Sequence, residues 1–320
     1  MPPKQPRFRP NLEEPCICGA RKALKDCCLQ FDGSIYKERA SICPPGSVTG
    51  YSHPGCYLSF TEDCDEKLTG EHLSHGIFRQ IGQNINVTGW PGLKPGEVKS
   101  IGITRLTSKI LCKRHNSGFS KVDTTASRFF EMLTDVNIDL ATSSLSRRKR
   151  FYLLNGEDLE MWAAKVLLGL LYSQPKSSAL HGYTVDSDIM RTLIMARRLP
   201  PACGLYLGTA LGDKVSYNHK ELMVGTITEP NRRRLLGLTF RIESVPFDFW
   251  MDNSRVNFAA EIRNKLYRPS PITFEGRGRS HTIFLSWPAD PTRVGMVFTL
   301  NQGIRKWGRA VRRNQHELGR

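Results

Sequence analysis

Seven of the nine cysteines fall within the first 64 residues, and an eighth is Cys112. The chain opens MPPKQPRFRPNLEEPC, which has no apolar stretch able to serve as a secretory signal. Clustered cysteines without such a signal predict metal ligands in a reducing, cytoplasmic setting rather than disulfides. This constrains folding strongly, because a short polar segment cannot bury four thiols in a core of its own. The N-terminal region must therefore fold around metal.

Residues 16–28 read CICGARKALKDCC, a C-x-C-x8-C-C pattern. Two close cysteine pairs joined by a short turn supply the four tetrahedral ligands that zinc requires. Gly19 suits the tight turn after the first pair, and Arg21, Lys22 and Lys25 offset the thiolate charge. A disulfide between the adjacent Cys27 and Cys28 would be strained. Cys16, Cys18, Cys27 and Cys28 are thus the expected ligands of a first structural zinc. Over about residues 14–30 the sequence resembles the SEC-C zinc knuckle, with Gly19-Ala20-Arg21 where that family often has Gly-Ser-Gly. The resemblance implies a docking module for a protein or the ribosome, without chemistry of its own.

A second set follows: Cys56, Cys64, Glu71-His72, and then LCKRHN over 111–116. Cys112 and His115 at C-x2-H spacing suit a strand that turns into a helix, and Cys56 and Cys64 complete a second zinc site. Cys43 or His53 is an alternative for one of those two. Asn116 at a helix start also reads as an ordinary N-cap.

The order of these residues resembles the HNH nucleases, a ββα-metal fold with a zinc-bearing treble clef, over about residues 56–124. The resemblance implies a catalytic Mg²⁺ or Mn²⁺ held by Glu71 and Asn116. His72 would be the general base, with His75 as the alternative. Thr107 stands nearest the family's central Asn and would orient the His through its hydroxyl. About forty residues separate His72 from Cys112, including the Gly/Pro-rich stretch GWPGLKPGE at 89–97.

The remainder reads as a separate α+β domain. Asp123 is the expected N-cap of the helix TTASRFFEMLTD, ATSSLSRRKR at 141–150 is the expected domain boundary, and Asn155 should cap an apolar helix over 156–173. Alternation predicts half-buried strands at 236–242, 283–287 and 296–300, with further candidates at 203–210 and 221–228 and a short helix at 256–267. His181, His219, His281 and Cys203 have no partners at usable spacing and read as structural. The expected organisation is α+β multidomain: a SEC-C-like knuckle at 1–40, an HNH-like treble-clef domain at 41–140, and an α+β domain with a mostly antiparallel sheet at 150–320.

Charge bears on the partner. The chain carries 46 Lys+Arg against 30 Asp+Glu, a formal net charge of +16. The excess is spread over both halves, with clusters at Arg147-Arg148-Lys149-Arg150 and Arg232-Arg233-Arg234 and a basic C-terminal tail. Such a surface attracts phosphate backbones by counterion release. No apolar run reaches the length of a membrane span. The expected function is a metal-dependent HNH-type endonuclease hydrolysing phosphodiester bonds, DNA ahead of RNA. The alternative is a non-catalytic, zinc-stabilised adaptor that binds nucleic acid or protein.

Overall fold

The computed structural model describes residues 11–72, 77, 82, 84–88, 97–103, 107–141, 149–173, 180–208, 222–243, 245–276, 279–288 and 298–301. Of Glu71 and His72 it describes the backbone. His75, Arg147, Arg148, His219 and the basic tail beyond 301 lie outside the described residues.

Strand β1 (Leu68–His72) pairs antiparallel with β4 (Thr107–Cys112). Between them in the chain lie β2 (Asn84–Thr88) and β3 (Val98–Gly102), which pair with each other as a separate two-stranded ribbon. From Cys112 the chain passes directly into α1 (Lys113–Ala141). Its 29 residues make a rod about 43 Å long. Phe119, Val122, Ala126, Phe129, Phe130, Leu133, Val136 and Leu140 are all buried, at the three- and four-residue spacing of one helical face.

The helix therefore does not begin at Asp123. That residue sits inside α1 and takes an ion pair from Lys165, 2.5 Å away. Ser117 and Gly118 imitate a turn in sequence, but Gly118 answers a packing demand. A Cβ there would lie 2.4 Å from the carbonyl oxygen of Ile42, so only glycine lets the incoming strap of chain cross the helix.

Beyond α1, β5 (Lys149–Asn155) leads into α2 (Gly156–Tyr172). Asn155 caps α2 as its sequence position predicts, accepting from the Asp158 amide at 3.0 Å. Glu157 and Asp158 in the first turn face the positive end of the helix dipole. This helix is enclosed almost all round, so its charged residues need partners. Arg268 chelates Glu160 through two 2.9 Å bonds. Arg197 meets Asp158 at 2.9 Å and Arg39 meets Glu157 at 3.2 Å.

Two sheets flank α2. One is fully antiparallel, in the order β10-β6-β9-β8-β7, comprising β6 (Gly204–Leu207), β7 (Leu222–Glu229), β8 (Arg234–Ile242), β9 (Val245–Trp250) and β10 (Leu266–Tyr267). The other runs β13-β11-β12-β5, comprising β11 (Ile272–Gly276), β12 (Arg279–Ser286) and β13 (Phe298–Asn301) with β5. Its central pair is antiparallel and both outer pairs are parallel. Helices α3 (Ser187–Ala196), capped by Asp186, and α4 (Phe258–Ile262) complete the chain. The protein is thus α+β, with three antiparallel sheets among the described residues and one, the four-stranded sheet, that is mixed rather than mostly antiparallel.

One hydrophobic cluster joins Cys56, Leu111 and Phe129 to Trp162, Phe247 and Ile283. The expected boundary at 141–150 therefore separates elements that share a core. No helix among the described residues is long and apolar enough to cross a membrane.

Candidate metal centres

Cys16, Cys18, Cys27 and Cys28 present their sulfurs to one another within 4.8 Å. Cys18 and Cys27 are 3.5 Å apart, Cys27 and Cys28 3.7 Å. Around a tetrahedral zinc with Zn–S of about 2.3 Å, sulfurs sit about 3.8 Å apart. The donor set fits that ion. Gly19 makes the turn at φ +77°, and the Cys16 carbonyl accepts from its amide at 2.8 Å. Arg128 of α1 lies against this turn, donating to the Cys18 carbonyl. A side chain at position 19 would collide with that guanidinium. Burial pushes the Cys16 thiol up to about 11, while the hydrogen bond from Cys28 holds Cys18 down at about 4. A buried cluster of this kind accommodates several thiolates only with a cation among them.

The knuckle is built into the body of the protein. Leu153 of β5 donates its amide to the Ile17 carbonyl at 3.1 Å, and Leu153 and Phe284 cover the apolar side of the cluster. The strap that follows ties down the start of α2. Ser286 accepts from the Lys37 amide at 2.8 Å, and the Asp158 carboxylate accepts from the Ala40 amide at 3.0 Å.

The second group is Cys56, Cys64, Cys112 and His115, all buried and again within 4.8 Å. Cys43 is exposed, and neither it nor His53 joins the group. The His115 Nδ1 lies 3.5, 3.7 and 3.1 Å from the sulfurs of Cys56, Cys64 and Cys112. A tetrahedral Cys₃His zinc site, with Zn–N of about 2.0 Å and Zn–S of about 2.3 Å, separates N from S by about 3.6 Å. Cys112 occupies the N-cap position of α1, and its sulfur accepts from the His115 amide at 3.5 Å. The helix terminus thus favours a thiolate there. A second amide, that of Cys112, points at the Cys56 sulfur at 3.4 Å.

Thr61 fixes the histidine tautomer. Its hydroxyl donates to the Leu58 carbonyl at 2.8 Å and lies 2.9 Å from His115 Nε2. With its one proton engaged, the hydroxyl oxygen accepts from Nε2–H, which leaves the Nδ1 lone pair facing the three sulfurs. Burial also lowers the imidazole's proton affinity, consistent with a neutral ligand. Arg114 braces the surrounding loop, gripping Asp63 at 2.8 and 3.1 Å and the carbonyls of Pro45 and Ser47 at 2.9 Å each. Sequence reasoning missed Thr61, Asp63 and Arg114, because no ligand spacing marks such supporting residues.

Of the expected catalytic residues, Glu71, His72 and Thr107 fall at one end of the β1–β4 pairing, while Asn116 follows Cys112 at the other. Glu71 pairs with Ser108 and His72 with Thr107. Asn116 lies inside the first turn of α1, so it is not the N-cap. Its amide nitrogen donates to Thr69 of β1 at 3.0 Å, and among the described residues nothing donates to its oxygen. Of the basic clusters, Arg232 and Arg233 are exposed and so is Lys149. Arg150 lies beside the Tyr152 hydroxyl. Arg234 faces Asp186 at 2.7 Å and Asp252 at 2.8 Å, so its charge is neutralised within the fold rather than offered to a phosphate. His281, read as structural, is buried with Nε2 2.8 Å from Asp139.

Each of the two groups can hold a metal ion, and the donor types and spacings of both are those of structural zinc. Compared with known proteins, the chain matches no family model, no curated protein and no solved structure.

Proposed function

We propose that the protein is a metal-dependent endonuclease of the HNH type, stabilised by two structural zinc ions and acting on DNA in preference to RNA. One observation carries the reading: two antiparallel strands and a helix, β1, β4 and α1, meet at a Cys₃His cluster, with Glu71-His72 closing the first strand and Asn116 opening the helix beside it. In this reading the zinc clamps strand to helix and takes no part in the chemistry.

His72 takes a proton from the attacking water, a task suited to an imidazole with a proton affinity near neutrality. Thr107, its register partner, orients it. Glu71 and the side-chain oxygen of Asn116 would hold a Mg²⁺ or Mn²⁺ ion, which would supply charge stabilisation for the leaving oxygen. Lys149, Arg232 and Arg233 add attraction for the phosphate backbone.

The test is cleavage of plasmid DNA and of structured RNA with Mg²⁺ or Mn²⁺. Wild type should cut, and His72→Ala should lose about 100-fold or more, the usual worth of a general base, at unchanged zinc content. Equal cleavage by wild type and His72→Ala would assign the activity elsewhere. Absence of cleavage by a fully metallated wild type would leave the binding-adaptor reading in its place.

A further inference from the structure

The ribbon β2–β3 forms a sheet of its own. Among the described residues its strands pair only with each other, and an isolated two-stranded ribbon is marginally stable in water. Asn84, Asn86, Lys99 and Ser100 are exposed, and Val98 keeps 64% of its surface accessible. The register sets Asn86 opposite Ser100 and Asn84 opposite Gly102, while Lys99 pairs with Val87 on the alternate face. Exposed positions therefore occur on both faces. Among its described side chains the ribbon presents amides, a hydroxyl and an ammonium to the outside.

Its placement is more informative than its composition. The ribbon is inserted between His72 and Thr107, which pair with each other, so the chain leaves for it and returns from it at the Glu71-His72 end of the hairpin. Five peptide steps join Gly102 to Thr107, a reach of at most about 18 Å. Each five-residue strand extends the ribbon by about 17 Å more. Its far end thus lies no more than about one turn of B-DNA, roughly 35 Å, from the His72 position. The inserted segment 73–106 carries Arg79, Lys94, Lys99 and Arg105 against Glu97 alone, which complements a polyanion.

We infer that this ribbon is an arm that enters the major groove of duplex DNA within one helical turn of the bond to be cut. The inference rests on the nuclease reading above and narrows its substrate to a B-form duplex. A major groove about 12 Å wide admits a two-stranded ribbon, and Asn side chains match the adenine edge displayed there. The major groove of A-form RNA is too deep and narrow for such side chains.

The experiment is fluorescence anisotropy on a 30-base-pair DNA duplex and the RNA duplex of the same sequence, without added Mg²⁺ or Mn²⁺. It compares the full-length wild type, the quadruple variant Asn84→Ala/Asn86→Ala/Lys99→Ala/Ser100→Ala, and the single Lys99→Glu. Zinc content confirms folding throughout. Wild type should prefer DNA, the quadruple variant should lose about tenfold or more on DNA and little on RNA, and Lys99→Glu should lose less in the same direction. Unchanged DNA affinity in both arm variants, or equal wild-type affinity for the two duplexes, overturns the arm. An arm-dependent preference for DNA in a protein that never cuts would retain the arm and overturn the nuclease.

Discussion

The two metal clusters have the same number of donors and are assembled in opposite ways. The knuckle gathers Cys16 to Cys28 from thirteen consecutive residues, whereas the second cluster draws Cys56 and Cys64 against Cys112 and His115 from across sixty. By loop-closure entropy alone the longer closure costs about 1.4 kcal/mol more, and the difference is met by neighbouring structure. Around the second cluster stand a helix N-terminus, the β1–β4 pairing, Thr61 on the imidazole and the Arg114–Asp63 clamp. The knuckle has Arg128 on its turn and one hydrogen bond to β5. A cluster closed locally depends mainly on its metal. A cluster closed over a distance depends on metal and scaffold together.

That contrast can be broken most directly at Cys112, which is both ligand and helix cap. Cys112→Ser should release the second metal and lower stability by several kcal/mol, since structural zinc binding is itself folding free energy of order ten. Metal content should fall from two per chain to one or fewer, with a large drop in melting temperature. Cys18→Ser should also remove one metal, yet cost less stability, because the body of the fold keeps its own core; loss of both metals in Cys18→Ser would abolish the distinction.

A smaller effect is expected from Thr61→Val, which leaves the buried Nε2–H unpaired and the tautomer unfixed. The second site should lose about 10- to 100-fold in metal affinity, measured by chelator competition. Smallest is Arg128→Met. It removes a hydrogen bond from a partly exposed turn, worth about 1 kcal/mol, so a few-fold loss at the knuckle is expected.

The same contrast explains what the sequence disclosed. Ligands that lie close together, and pairs such as Cys112–His115, are visible because metal geometry dictates their spacing. The partners that support them are not, because Thr61 and Arg114 are chosen by a fold that brings residues 61 and 115 together. Elements marked by their own periodicity, α2 and β8 among them, were legible. The helix start after Cys112 was legible, but its unbroken run through Asp123 was not, since Asp123 reads as a cap and only the crossing of Ile42 explains Gly118. Strand β9 was obscured by Pro246, which weakens a strand reading. Strand β5 was hidden within a basic run that resembles a linker. The neutralisation of Arg234 by Asp186 and Asp252 depends on tertiary packing that a cluster of arginines cannot announce.

Helix α1 touches nearly every part of this arrangement. His115 in its first turn faces the second cluster, Arg128 holds the knuckle about 20 Å further along, and Asp139 near its end engages His281 and Arg279 of β12. A single rigid rod is thus keyed into three places, and it cannot slide or rotate at one of them without disturbing the other two. Occupancy of one metal cluster therefore reports mechanically to its neighbour, so stripping the second site should speed exchange at the first although no ligand is shared between them.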